Sequence, residues 1–234
     1  MKWLQSASLF LLGFILVISL SACGPLGQVE QAIKSQQALD AYTFDGNLSF
    51  ETYGKSWQSP KVDSADILGS CVRKEEGWLY LWSVSEHHTG TEKTVQTIMR
   101  RQYPEETFPR EVDILGWLPS FSLREDVLDG QFGQTDNNHL LYCVTVKGNQ
   151  ITNALMDELC EEEDLVLDEA RITYQIEINR LSKVMVEYFL NGKNPATGQY
   201  DLPAKKIFLW VTYDKPSEES KIEIPDMSSD VIYE

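Results

Sequence analysis

Seven residues hold most of the reactive side chains in this 234-residue chain: His87, His88 and His139, and Cys23, Cys71, Cys143 and Cys160. Adjacent histidines on an extended backbone point to opposite faces, so His87-His88 is a poor shared metal ligand. Its Ser/Glu/Thr/Gly surroundings predict a surface loop, and His139 precedes a strand. The run Glu161-Glu162-Glu163-Asp164 would attract divalent cations, but it lacks the alternating ligand spacing of a calcium loop. It reads as the solvated end of a helix. Asp129-Gly130 and Asp136-Asn137-Asn138 read as turns. There is no Gly-x-Ser-x-Gly elbow, no His-Glu-x-x-His pair and no phosphate-cradling glycine loop. Carboxylates are so numerous that no pair stands out as general acid and base. The residues call for no cofactor and no metal, and enzyme activity is not expected.

The first 22 residues explain why the cysteines matter. Met1-Lys2 is followed by the apolar run Leu9–Leu20 and the small residues Ser21-Ala22. A short basic start, an apolar stretch and small residues before a cleavage point make an export signal. The stretch is short for a spanning helix, which needs about 20 apolar residues. No second run is long enough to span, so the mature body is expected to be soluble. Outside the cytoplasm a disulfide is allowed. One bridge among Cys71, Cys143 and Cys160 is an open alternative to three buried free thiols acting as small hydrophobes.

Charge narrows the partners. The chain holds 36 acidic and 20 basic residues, a formal charge of −16. Such a surface repels nucleic acid and anionic headgroups, so no nucleic-acid partner is expected. Lipid contact should run through an apolar cavity or an anchor.

Periodicity then supplies the elements that would position any site. Residues 24–28 read as a tether, and residues 29–39 as a weak helix with Val29, Ala32 and Ile33 on one face. Tyr42, Phe44, Leu48 and Phe50 alternate with polar residues as a half-buried strand, with Gly46 a bulge or bend. A loop with Pro60 follows. Residues 67–73 and 78–85 form a hairpin around Lys74–Gly77, the second strand apolar on both faces and therefore expected to be central. Residues 93–102 are a fourth strand. Prolines and glycines break the pattern between Pro104 and Asn138, where residues 111–128 suggest short helices. Residues 140–147 are a strand, and residues 150–163 a helix with Ile151, Ala154, Leu155 and Leu159 on one stripe. Ile172, Tyr174, Ile176 and Ile178 mark another strand, followed by a turn at 179–182 and a strand through Leu190. A loop at 191–204, a strand at 207–213 and a short strand at 222–225 close the pattern.

Two resemblances follow from these residues. Leu20-Ser21-Ala22-Cys23 resembles the lipobox of bacterial lipoproteins. This implies a diacylglyceryl group on Cys23, which becomes the mature N-terminus at the outer face of the cell membrane. The strand Tyr42-Thr43-Phe44-Asp45-Gly46, the late helix, Ile172–Ile178, Thr212–Pro216 and Ile222–Pro225 together resemble the LolA/LppX-like lipoproteins of Gram-positive type. That resemblance implies an α+β fold: a curved antiparallel sheet forming an open half-barrel, with helices packed on its concave face. The implied organisation is a signal at 1–22, a lipidated tether at 23–28, the half-barrel at 29–226 and a tail at 227–234. It also implies a cavity for acyl chains, for which Phe44, Leu48, Phe50, Tyr174 and Ile176 are the candidate lining. The expected function is binding of a lipid or other apolar ligand. The alternative is a filled half-barrel that docks an envelope protein partner, as in germination-type lipoproteins of spores.

Overall fold

The computed structural model describes residues 24–53, 60–75, 77–88, 95–103 and 117–214. The signal expected at 1–22, Cys23, the strand expected at 222–225 and the tail expected at 227–234 lie outside them.

Nine strands form one antiparallel sheet: β1 (Ala41–Thr52), β2 (Lys61–Lys74), β3 (Gly77–His88), β4 (Val95–Tyr103), β5 (Val127–Gln134), β6 (Leu140–Lys147), β7 (Leu165–Glu177), β8 (Arg180–Lys193) and β9 (Tyr200–Asp214). Their order is β4-β3-β2-β1-β9-β8-β7-β6-β5. Consecutive strands pair except β4 and β5, which lie at opposite edges, and β9 also pairs with β1, which brings the last described strand to the middle. The sheet is open, with β4 and β5 as its edges. Register shifts in β5, β7, β8 and β9 bend it. Two helices, α1 (Pro25–Gln37) and α2 (Ala154–Glu162), cover its concave face. The fold is an α+β open half-barrel.

Alternation explains the core. On β9, Ile207, Leu209, Val211 and Tyr213 are buried while their neighbours are not. Leu181, Val184, Val186, Tyr188 and Leu190 do the same on β8. Fully burying an aliphatic side chain stabilises by roughly 1.5–3 kcal/mol, so these two strands anchor the core. Val29 and Ala32 of α1, and Met156 of α2, join that cluster.

Several expectations are corrected. Residues 24–28 are no free tether, because α1 begins at Pro25, whose fixed φ suits the first helical turn. Gly46 makes no bulge: β1 keeps unbroken register with β2 from Ala41 to Thr52. Its role is close approach, since a Cβ there would lie 2.6 Å from the Trp210 carbonyl oxygen. β3 is not central but one strand from the edge, although Leu79 and Trp82 are buried from its two faces. His87 and His88 lie on β3, not in a loop. Residues 117–126 hold no helix, and Asp129-Gly130 is strand rather than turn. The loop expected at 191–204 shrinks to 194–199, because β8 and β9 extend into it.

The late helix is shorter than expected. A 3-10 turn (Gly148–Gln150) precedes it, and Asn153 caps it by accepting a hydrogen bond from the Met156 N–H at 3.0 Å. Ala154 is exposed and Met156 is the residue buried, one position round from the expected stripe. Gly148 permits this tight return, since a Cβ there would meet the Leu167 carbonyl oxygen at 1.9 Å.

Candidate functional site: a cavity beneath the first helix

A cavity of about 560 Å³ opens between α1, the segment 118–124 and the floor of the sheet. That volume falls in the range of small-molecule sites, about 300–1,000 Å³. Glu30, Ile33, Lys34 and Gln37 reach it from α1. Their i, i+3, i+4, i+7 spacing puts them on one stripe, beside the Val29/Ala32/Gln36 stripe that faces the core. Tyr174 of β7 and Leu181 and Val184 of β8 form the floor. Leu118, Phe121 and Leu123 complete an apolar wall.

That wall has no regular structure of its own, so it is pinned by polar contacts. The Tyr188 hydroxyl donates to the Trp117 carbonyl at 2.6 Å. Asn153 donates to the Leu118 carbonyl and to the Tyr188 hydroxyl, each at 3.3 Å. Ser120 and Thr152 exchange two backbone hydrogen bonds of 2.9 and 3.1 Å. Trp117 meets Phe50 edge-on, with centroids 5.6 Å apart. Asn153 therefore serves α2 and the cavity wall at once.

The mouth is polar. Arg124 donates through Nε and Nη2 to both carboxylate oxygens of Glu30, each at 2.7 Å. Such bidentate pairs are among the stronger charge-assisted contacts. The Arg124 hydrogen bond holds Glu30 below the usual carboxylate range against a smaller opposing effect of burial, and Lys34 adds to the lowering. Gln36 is 1% exposed on the packed face of α1, and neither amide atom has a hydrogen-bond partner among the described residues.

Of the five candidate lining residues, Tyr174 alone borders the cavity. Burial, and secondarily Tyr142, pushes its phenol pKa up, so it stays neutral. Phe44, Leu48 and Ile176 are packed into the core, and Phe50 is half-buried against Trp117. The remaining lining was missed because Leu118, Phe121 and Leu123 lie in an aperiodic, proline-broken stretch. Three large apolar residues within six positions there were the available signal, since they must be covered by something.

The other candidates do not line the cavity. Cys71, Cys143 and Cys160 are free thiols, but only Cys71 is buried; Cys143 is exposed and Cys160 intermediate. An outward-facing position on β6 explains Cys143, which accepts a hydrogen bond from Thr173 at 3.4 Å. Burial pushes the Cys71 pKa up to about 12, which leaves it an inert thiol. His87 meets Asp66 of the neighbouring strand at 3.0 Å. His139 contacts Gln175 at 3.1 Å. Glu163 pairs with Lys205 at 2.5 Å, and Asp164 accepts from Tyr200 at 2.5 Å, so the acidic helix end is partly neutralised. Among the described residues no cluster of His, Cys, Asp and Glu could hold a metal, and no helix is long and apolar enough to cross a membrane.

No protein-family model matches this chain, and no curated protein matches it. Among solved structures it is similar to a LolA superfamily protein from Nitrosomonas europaea, at 8% identity over 81% of this chain and 91% of that one, with a TM-score of 0.21. A DUF1329 family protein from Desulfovibrio piger is similar at 8% identity over 80% and 90%, with a TM-score of 0.22. The dehydratase domain from the terminal module of the rifamycin polyketide synthase is similar at 9% identity over 81% and 80%, with a TM-score of 0.19. With TM-scores this low, the assignment of an open half-barrel rests on the strand order and register themselves.

Proposed function

We propose that this chain is a non-enzymatic, LolA-like lipoprotein that binds a lipid or another apolar ligand in the cavity beneath α1, for carriage or sensing. The supporting observation is the cavity itself: about 560 Å³ with an apolar floor and wall, in a sheet that could have packed closed. Acyl-chain burial of about 0.8 kcal/mol per CH₂ would drive binding without catalytic groups. The same cavity sets this reading above partner docking, which would need only a filled half-barrel. In this reading Cys23 carries the diacylglyceryl anchor and holds the domain at the outer face of the cell membrane. Two acyl chains suffice for stable attachment.

Delipidated protein should take up a fluorescent fatty acid, and Val184→Trp, which fills the floor, should abolish uptake while the fold survives. Undiminished uptake by that variant would move the ligand elsewhere. A Cys23→Ser chain should leave the membrane fraction; its retention there would remove the anchor from the proposal.

A further inference from the structure

The cavity mouth carries a charge balance opposite to that of the molecule. The chain is strongly acidic at −16, yet the cavity-lining residues include two cations, Lys34 and Arg124, and one acid, Glu30. Glu30 and Lys34 are one helical turn apart on α1, and Arg124 closes onto them from the opposite wall. Both Glu30 oxygens are occupied by the Arg124 fork, at 2.7 Å each. Glu30 thus occupies the position that another carboxylate or a phosphate would take on Arg124. The apolar surface begins immediately inside, at Ile33, Leu118 and Leu123.

We infer that the cavity takes a single-tailed amphiphile with an anionic head, its tail against the apolar wall and its carboxylate or phosphate on Arg124 and Lys34, displacing Glu30. This rests on the apolar-ligand reading above and names the ligand class. Arginine recognises either head by the same planar two-point geometry, and Lys34 adds a point charge. Exchanging one anion for another keeps the guanidinium paired, so binding leaves no cation desolvated and alone.

The test is calorimetric titration of delipidated full-length protein with three probes: hexadecanoate, hexadecanol of the same chain length, and inorganic phosphate. Hexadecanoate should bind at least about tenfold more tightly than hexadecanol, the scale of one charge-assisted hydrogen bond. Lys34→Gln combined with Arg124→Gln should bring the acid down to the alcohol's affinity and leave the alcohol unchanged. Glu30→Gln should tighten hexadecanoate alone, because the internal competitor is gone; a merely structural clamp predicts no gain. Far-UV circular dichroism identifies any variant that has unfolded, and Arg124→Lys then serves as the milder replacement, expected to weaken the acid less than Arg124→Gln. Equal binding of acid and alcohol to the unaltered chain would overturn the anionic head and leave the apolar-ligand reading standing. Binding of neither would overturn both. Phosphate binding as tightly as hexadecanoate would overturn the tail and mark a plain anion site.

Discussion

Strands β8 and β5 belong to the same sheet, three places apart, yet they are built by different rules. β8 lies under α1, and its buried residues Leu181, Val184, Val186, Tyr188 and Leu190 face the core or the cavity. β5 pairs on one side only and is exposed from Leu128 to Gln134. What holds β5 is its ladder with β6 and one aromatic stack, Phe132 on Tyr142, with centroids 4.3 Å apart. Nothing requires such a strand to alternate, and Val-Leu-Asp-Gly-Gln-Phe-Gly-Gln does not. Burial writes a pattern into a sequence, whereas backbone pairing alone leaves none.

Glycine substitution breaks the comparison most sharply. Gly148→Ala, on the covered side, would drive a methyl into the Leu167 backbone and should cost about 3 kcal/mol or more. Gly130→Ala in β5 meets the Tyr142 hydroxyl at 2.7 Å, a side-chain rather than a backbone contact, and should cost less, about 1 kcal/mol. Urea melts of the two variants measure the gap; comparable losses would erase the distinction. Next comes the wall. Asn153→Ala removes the α2 cap and two donors, and should cost about 2–3 kcal/mol while weakening fatty-acid uptake.

Gln36→Leu should go the other way. Replacing a buried amide that has no partner among the described residues with an apolar side chain of similar size should stabilise by about 1 kcal/mol. A loss of stability on melting would mean that the amide is bonded. The Glu30–Arg124 clamp is exposed, so its contribution should be small and pH-dependent. Arg124 lowers the Glu30 pKa on folding, so the stabilisation is present above the unfolded carboxylate value and lost as pH falls through the lowered one. Stability measured across the acid range should lose that part of its slope in Glu30→Gln. Smallest of all, Leu128→Thr on the exposed edge should change the melt by no more than about 0.5 kcal/mol.

The same contrast explains what could be read from the sequence. β1, β6 and the cores of β7, β8 and β9 were legible because each buries one face, so Tyr42-Phe44 or Ile172-Tyr174-Ile176 alternate visibly. β5 was not, and neither were the polar ends of β8 and β9, where backbone pairing continues past the last buried side chain. The cavity was half-legible. Tyr174 could be named from its strand, but Leu181 and Val184 looked like any core residues, because a floor and a packed interior use the same alternation. The Arg124–Glu30 clamp joins residues 94 positions apart, and no local pattern encodes such a pair.

Under the proposed anchor, the start of α1 at Pro25 would set the length of the leash. Only Gly24 separates Cys23 from the first helical residue. Two residue steps of extended chain reach about 7 Å. A lipid on Cys23 would then allow the domain to pivot at the bilayer but not to travel across the space beyond it. Because the stripe that lines the cavity belongs to that same helix, the mouth would stay within a short distance of the headgroups in every orientation. Such a protein would exchange its ligand with the membrane that holds it, and delivery to a distant surface would require a second carrier.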